Sequence, residues 1–504
     1  MWPFSKKNNS GDKGTEKSPE QIKKDFQQEV SKSEDYKKTC YENRFSKTNF
    51  YFHFISALVD ENILQKDVLP YLLENHFESI DQIKSLVPVA DIEISDDPSI
   101  IEKKLFNGYV LVKHQSDNNR YAFVAAQKEV VRSITQPEVE FSVIGPKEAF
   151  VESIDQNINL IRKRLSIKEL VIERFVVGTL SKTQVALIYV DGLTNEENVN
   201  TARQRIQDVD FDQINDSSYL EQIIADNTYS VFPQLLDTER PDRTAAVLAE
   251  GKLVIIVDGS PLALIGPTTL VEFFNAFEDY FLNWYISSFL RLLRVFAVSF
   301  SILITPVYVA ALTYHYELIP KDLMATLITS RQEIPLPPIL EAFFLELTIE
   351  LLREAGARLP TKVGQTIGIV GGIVIGTASV EAGLTSNVLL IIVALAALAS
   401  FTTPVYKMGN TIRVLRFPFL IFAQLWGLLG IVFCFSLLMA HLLQLSSLGR
   451  PFLEPLFPPR IRDFKDALIR LPFTAQSTRP EYLRTQKPER FNKKQATKKV
   501  DIDE

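Results

Sequence analysis

The chain has 504 residues and a formal net charge of −7, with 54 Lys/Arg against 61 Asp/Glu, a length that calls for several domains and a charge that singles out no partner class. Its mean hydropathy of +0.05 averages a charged first half with a second half of long uncharged runs. Two cysteines, Cys40 and Cys434, and five scattered histidines exclude a disulfide framework, a thiolate metal site and an HExxH zinc centre.

Residues 1–40 are rich in Lys, Ser, Glu and Gln and too poor in large apolar residues to offset the entropy of ordering, which predicts a mobile polar arm. The first residues also lack the apolar core of a secretory signal, so the N-terminus is expected in the cytoplasm. A cytoplasmic α/β subdomain is predicted over 41–165. Within it, runs at 108–114 and 120–127 flank Ser116-Asp117-Asn118-Asn119 and read as a hairpin. Phe150, Ile154, Ile158 and Ile161 at helical spacing predict a connector helix over 146–165 that ends in a solvated Arg162-Lys163-Arg164 cluster.

A second cytoplasmic α/β subdomain is predicted over 166–288, with strands at 170–177, 184–190 and 252–258 and helices near 195–209 and 218–226. The run Val176 to Thr183 imitates a phosphate loop, but Val176 and Ser181 stand where glycines are needed, so a strand–turn–strand is expected. Glu239, Arg240 and Asp242 form a structural turn motif with Arg240 and Asp242 as a pair.

An all-α polytopic membrane domain is predicted over 289–446. Uncharged runs at 295–314, 363–380, 382–406 and 417–449 suggest about four spans, the first of them about the length that crosses ~30 Å of hydrocarbon. Gly364, Gly368, Gly372 and Gly376 recur every four residues, a small-residue stripe for close helix packing. Arg291, Arg294 and a tail over 447–504 with 13 Lys/Arg against 8 Asp/Glu, a net +5, place both ends in the cytoplasm, leaving Lys407, Arg413 and Arg416 in an outside loop. The segment 336–354 is apolar yet carries Glu341, Glu346, Glu350 and Glu354, the last three on one helical stripe. Either it lies in the interface or its acids face water, as pore or vestibule carboxylates of an oligomer. No nucleophile, metal cluster or phosphate loop supports an enzyme, no cofactor is implied, and no surface suggests nucleic acid.

The TERPD run at 238–242 continuing through RTAAVLAEGKLVIIVDGSPLALIGPTTLVEFFNAFEDYF, the GPKEAFVES run at 145–153, LREAGARLP at 352–360 and GIVGGIVIGTASVEAGLTSNVLLIIVALAALASF together resemble the GerA-type spore germinant receptor A subunits (GerAA/GerBA/GerKA-like), which are related to SpoVAF. The resemblance covers about 145–440. It implies a multi-pass protein of the bacterial spore's inner membrane, N-terminal domain and tail on the core side. It further implies a transporter-like B subunit and a lipoprotein C subunit as partners, besides membrane lipid, and homo-oligomers, a pentamer in the family pattern, acting as a nutrient-gated cation channel. A SpoVAF-type accessory role in dipicolinic-acid release and a non-conducting scaffold are the alternatives.

Overall fold

A computed structural model describes residues 28–491 apart from 90, 118–119, 129–136, 138–139, 141–143, 361–370 and 373. The chain divides into two compact units, one of residues 1–133, 153–174 and 188–191 and one of the remainder. The first unit is built on an antiparallel sheet of β1 (Tyr36–Glu42), β2 (Asn49–Ile55), β3 (Ile92–Ser95), β4 (Tyr109–His114) and β5 (Tyr121–Ala125) in the order β1-β2-β4-β5-β3. Alternation puts Phe50, Phe52, Val110, Val112, Ala122 and Val124 on one buried face, against Val68, Leu72, Phe77, Ile80 and Ile83. The hairpin read at 108–127 is the β4–β5 pair, with Val110 opposite Val124 and Val112 opposite Ala122.

Two boundaries differ from the sequence expectation. The polar arm does not extend to residue 40, because Tyr36 to Glu42 pair along the whole of β2 and Tyr41 packs on Phe50 and Phe52. Backbone pairing there supplies what an apolar-poor segment cannot obtain from side chains. After α1 (Pro98–Phe106), the connector helix α2 spans Ile154–Arg164 and starts at the Ser153 cap, eight residues later than expected, while the Phe150 N–H donates to the Glu239 carbonyl outside any helix. Arg162 is also no solvated helix end: it is buried, and donates from Nε and Nη2 to the Asp35 carboxylate at 2.9 and 2.8 Å. Lys163 and Arg164 are the exposed members of that cluster.

A second five-stranded sheet contains β6 (Leu170–Val177), β7 (Thr183–Val190), β8 (Leu236–Thr238), β9 (Leu253–Val257) and β10 (Ala263–Gly266) in the order β6-β7-β9-β10-β8. The phosphate-loop imitation is the turn from β6 to β7, with Gly178 at φ 85°. Helices α3 (Glu196–Gln207) and α4 (Ser217–Ile224) begin where Asn195 and Asp216 side chains accept the free N–H groups of their first turns. Helix α5 (Pro241–Glu250) starts on a proline that has no N–H to leave unpaired, and stops at Gly251, whose φ of 97° only glycine adopts without strain.

The second unit continues as helices α6 (Trp284–Thr313), α7 (Lys321–Arg331), α8 (Pro338–Arg358), α9 (Asn387–Ser400) and α10 (Tyr406–Gln444). Among the described residues, α6 and α10 are long and apolar enough to cross a membrane. Large apolar side chains such as Phe296, Leu429 and Val432 lie on their surfaces at more than 60% exposure, which water does not tolerate in such density and hydrocarbon does. The run 382–406 yields only the 14-residue α9 after a turn, and half of the run 363–380 lies outside the described residues.

The run 417–449 is not one span. At Gly427 the backbone leaves helical geometry (φ 61°, ψ −137°). Thr411 Oγ1 donates to the Val231 carbonyl at 2.6 Å and His441 Nε2 lies 2.9 Å from Ser230 Oγ. Two neighbouring residues of one loop cannot meet positions that a straight helix would hold ~45 Å apart, so α10 is a hairpin of two antiparallel helices reversed at Gly427.

The segment 447–491 is not a free tail. Arg450 reaches Glu197 Oε2 at 2.8 Å, Arg490 reaches Glu250 at 2.8 Å, and Tyr482 is buried with its hydroxyl on Glu272 at 2.6 Å. Arg450 and Arg490 are taken by acids on the α/β part of the same unit, whereas Arg460 and Arg462 pair with Glu454 and Glu481 within the segment.

Candidate functional site

The helices enclose a column of ionised side chains. Helix α8 descends along α6 and turns Glu341, Ala342, Leu345 and Glu346 inward at i, i+4 spacing, so the same face that buries alanine and leucine must bury two carboxylates. Glu346 accepts from Arg416 Nη1 at 2.9 Å and from Thr305 Oγ1 at 3.1 Å; the Arg416 Nη2 is shared by Ser301 Oγ at 2.5 Å and the Ala396 carbonyl at 2.9 Å. Arg416 and Glu346 are each about 1% exposed, so α6, α8, α9 and α10 meet at one fully desolvated pair. One turn toward the other end, Glu341 accepts from Arg331 at 2.8 Å and from the Ser386 N–H at 3.3 Å, tying α7 and the start of α9 to α8.

In the opposite direction the column reaches the surface of the chain. Glu350 lies between Arg353 at 3.4 Å and Arg413 at 3.5 Å, and its carboxylate is 28% exposed; Glu354 is mostly exposed and pairs with Arg358 one turn on. Arg353 stacks over Phe401, 4.5 Å from the ring centroid. Thus the four acids, each paired with arginine, separate into two that are buried, Glu341 and Glu346, and two that are nearer the surface, Glu350 and Glu354. Ala342 and Leu345 of α8 pack with Tyr308 and Val309 of α6 and with Leu389 and Val393 of α9.

Of the glycine stripe, Gly364 and Gly368 lie outside the described residues. A Cβ on Gly376 would sit 3.7 Å from Leu390 of α9, a packing contact, whereas one on Gly372 would meet nothing within 4 Å.

The base of the column is a second ionic centre that the sequence reading missed. Asp279, fully buried, accepts from Arg294 Nη1 and Nη2 at 2.7 Å each and from Arg291 Nε at 3.2 Å. Arg291 Nη1 also meets Asp466 Oδ1 at 3.0 Å, and Arg470 Nη1 donates to the carbonyls of Asp279 and Leu282 at 2.6 and 2.8 Å. Lys407 does not lie in an outside loop. It pairs with Glu221 and with Asp237 of the α/β part, and Arg413 and Arg416 follow it into the column. Glu221 is pushed up by burial, with Lys407 working against that shift.

The turn motif is also structural in geometry. Arg240 Nε and Nη2 bind Asp242 at 3.0 and 2.7 Å, the guanidinium sits over Phe277 at 5.3 Å, and the Glu239 carbonyl receives Phe150. Among the described residues no group of His, Cys, Asp and Glu could hold a metal ion.

The family described as Bacillus/Clostridium GerA spore germination protein matches residues 21–482. The chain is 50% identical over 474 residues, 94% of this chain and 95% of the relative, to spore germination protein GerQA of Bacillus cereus. It is 36% identical over 423 residues, 84% of this chain and 88% of the relative, to spore germination protein A1 of Bacillus subtilis (strain 168). Among solved structures, the N-terminal domain of the A subunit of the Bacillus megaterium spore germinant receptor GerK3 aligns with 49% of this chain and 94% of that chain, at 27% identity and a TM-score of 0.36.

Proposed function

The chain belongs to the Bacillus/Clostridium GerA family of spore-germination receptor A subunits, and from that premise we propose that copies of it surround a cation pathway opened in response to nutrients, in a complex with a transporter-like B subunit and a lipoprotein C subunit. What carries the reading is the column of charge inside an otherwise apolar helical region. Ionisable groups at such depth are expensive and mark ion pathways or the elements that gate them.

The directions of the helices support a multi-pass arrangement with both ends on one side. Helix α6 leads away from Asp279 and ends where Tyr314 Oη donates to the carbonyls of Gln424 and Leu425, beside the Gly427 reversal. Helix α8 returns, the segment 374–381 leads out again, α9 returns, and the two halves of α10 go out and back, six passes in all. Arg291, Arg294 and Lys407 then share one side, in keeping with the positive-inside tendency that the four-span reading violated. In the spore this side is the core, and the membrane the inner one.

Glu350 and Glu354, at the open end of the column, are the proposed vestibule acids that concentrate cations. Glu341 and Glu346 act with their arginines as the fixed part of the wall. Glu350→Gln and Glu354→Gln should each slow potassium release from nutrient-stimulated spores with the complex present at normal levels. Unchanged efflux in both variants would refute the vestibule assignment.

A further inference from the structure

A cleft of about 380 Å³ opens between α5, residues 269–280 and the returning segment 455–490, on the α/β part of the second unit and away from the helical column. Its volume is in the range of small-molecule sites. Helix α5 contributes Arg243, Ala246, Val247 and Glu250 at i, i+3, i+4 and i+7, one continuous face, and Ala246 lies open to the cleft. Opposite stand the aromatic rings of Phe277, Tyr280, Phe473 and Tyr482.

The charges are unequal. Four lining carboxylates, Glu250, Glu272, Asp463 and Asp466, face three lining cations, of which two pair into the cleft, Arg490 with Glu250 and Lys252 with Glu272, so that Asp463 is the acid left without a cation. The third, Arg243, is turned to Glu140 at 2.6 Å, outside the lining. Asp463 has backbone N–H groups of Glu481 and Tyr482 for partners, and Asp466 has Arg291 and the Tyr280 hydroxyl.

We infer that this cleft binds a small organic cation, an amine on an apolar body, with the ammonium group beside Glu250 and the body among the aromatic side chains. An anion would meet the surplus of carboxylate, and a neutral molecule would leave it unbalanced. Burial, with Asp466 nearby, holds the Glu250 carboxyl above the usual range even with Arg490 at hand, the condition that an added positive charge relieves. Aromatic walls add a cation–π contribution. The wall of the cleft is also the base of α6, because Asp466 and Tyr280 contact each other and Asp466 holds Arg291. An occupant therefore rests against the group that anchors the first long helix. The inference is independent of the channel reading.

The test uses the full-length chain in detergent and calorimetric titration with 2-phenylethylamine, with 2-phenylethanol and phenylacetate as neutral and anionic isosteres. Saturable amine binding is expected, weakened about tenfold in Glu250→Gln, the loss of one charge-assisted contact, and abolished in Ala246→Trp, which fills the cleft from an open position on α5. No saturable amine binding, tighter binding of phenylacetate, or amine binding unchanged in Ala246→Trp would each overturn it. Should Glu250→Gln fail to fold, Ala246→Trp and the three-ligand comparison decide alone.

Discussion

Replacing Arg416 with leucine strips Glu346 of its only charged partner among the described residues while leaving the carboxylate where it is. Arg416 supplies Glu346 at 2.9 Å, and also Ser301 and the Ala396 carbonyl, so one substitution removes three hydrogen bonds. Both residues are about 1% exposed, so no water compensates. Breaking a buried pair from one side costs about 3–5 kcal/mol, whereas replacing both partners with apolar residues of similar volume is close to neutral. Arg416→Leu and Glu346→Leu should therefore each destabilise the helical part by about that amount, and the double variant by much less than the sum, a coupling of several kcal/mol in a double-mutant cycle. Unfolding of the purified chain from mixed micelles, followed by tryptophan fluorescence, reads the effect. Additive losses, or single losses below about 1 kcal/mol, would show that the pair is not the desolvated junction of four helices that the geometry describes.

His53 is buried against Tyr36, whose hydroxyl lies 2.6 Å from Nδ1, and burial, reinforced by Lys38 and Lys113, lowers its pKa to about 4. Between that value and about 6.5 the unfolded chain binds the proton and the folded one does not, so stability of the first unit should fall by about 3 kcal/mol as pH drops through this window. Hydrogen exchange of β2 amides against pH measures it, and a slope that persists in His53→Phe would refute it. Gly427→Ala should destabilise the α10 hairpin by at least about 1 kcal/mol, because the backbone there has φ 61° and an added Cβ would lie 2.9 Å from His315 Nε2. Thermal melting checks this, and a melting temperature equal to that of the parent would count against the reversal. Asp279→Ala leaves Arg291 and Arg294 without their shared carboxylate and should cost about 3–5 kcal/mol; a loss of less than 1 kcal/mol in the same melts would show that Asp466 suffices.

Local pattern made much of this fold readable. The β4–β5 hairpin, the strands at 170–177 and 184–190 and the two helices between residues 195 and 226 follow from alternation, helical spacing and turn residues a few positions apart. The helical part was readable in kind, because long uncharged runs have few other homes. Its path was not: the run 417–449 contains no charge to mark a break, and a single glycine at 427 differs little by sequence from the glycines at 409 and 430. Pairings remote in sequence were also hidden. Arg416 looked like a loop residue because its partner is 70 residues away, and the positive segment after residue 447 looked like a free tail because Glu197 and Glu250, the partners of Arg450 and Arg490, lie on α3 and α5, 253 and 240 residues earlier. The acids of α8 were found by their oddity, but which ones water reaches depends on neighbours that only the tertiary structure supplies.

The anchorage of α6 by Asp466 and Arg470 has a consequence for how the protein is made. A ribosome releases these residues only after every helix has left the exit tunnel, so Arg291 waits through nearly the whole of insertion for one of its two carboxylates. Closure of the base is thus a late event in biogenesis. A nascent product cut short after residue 445 would contain α6 to α10 yet hold the first of them through Asp279 alone.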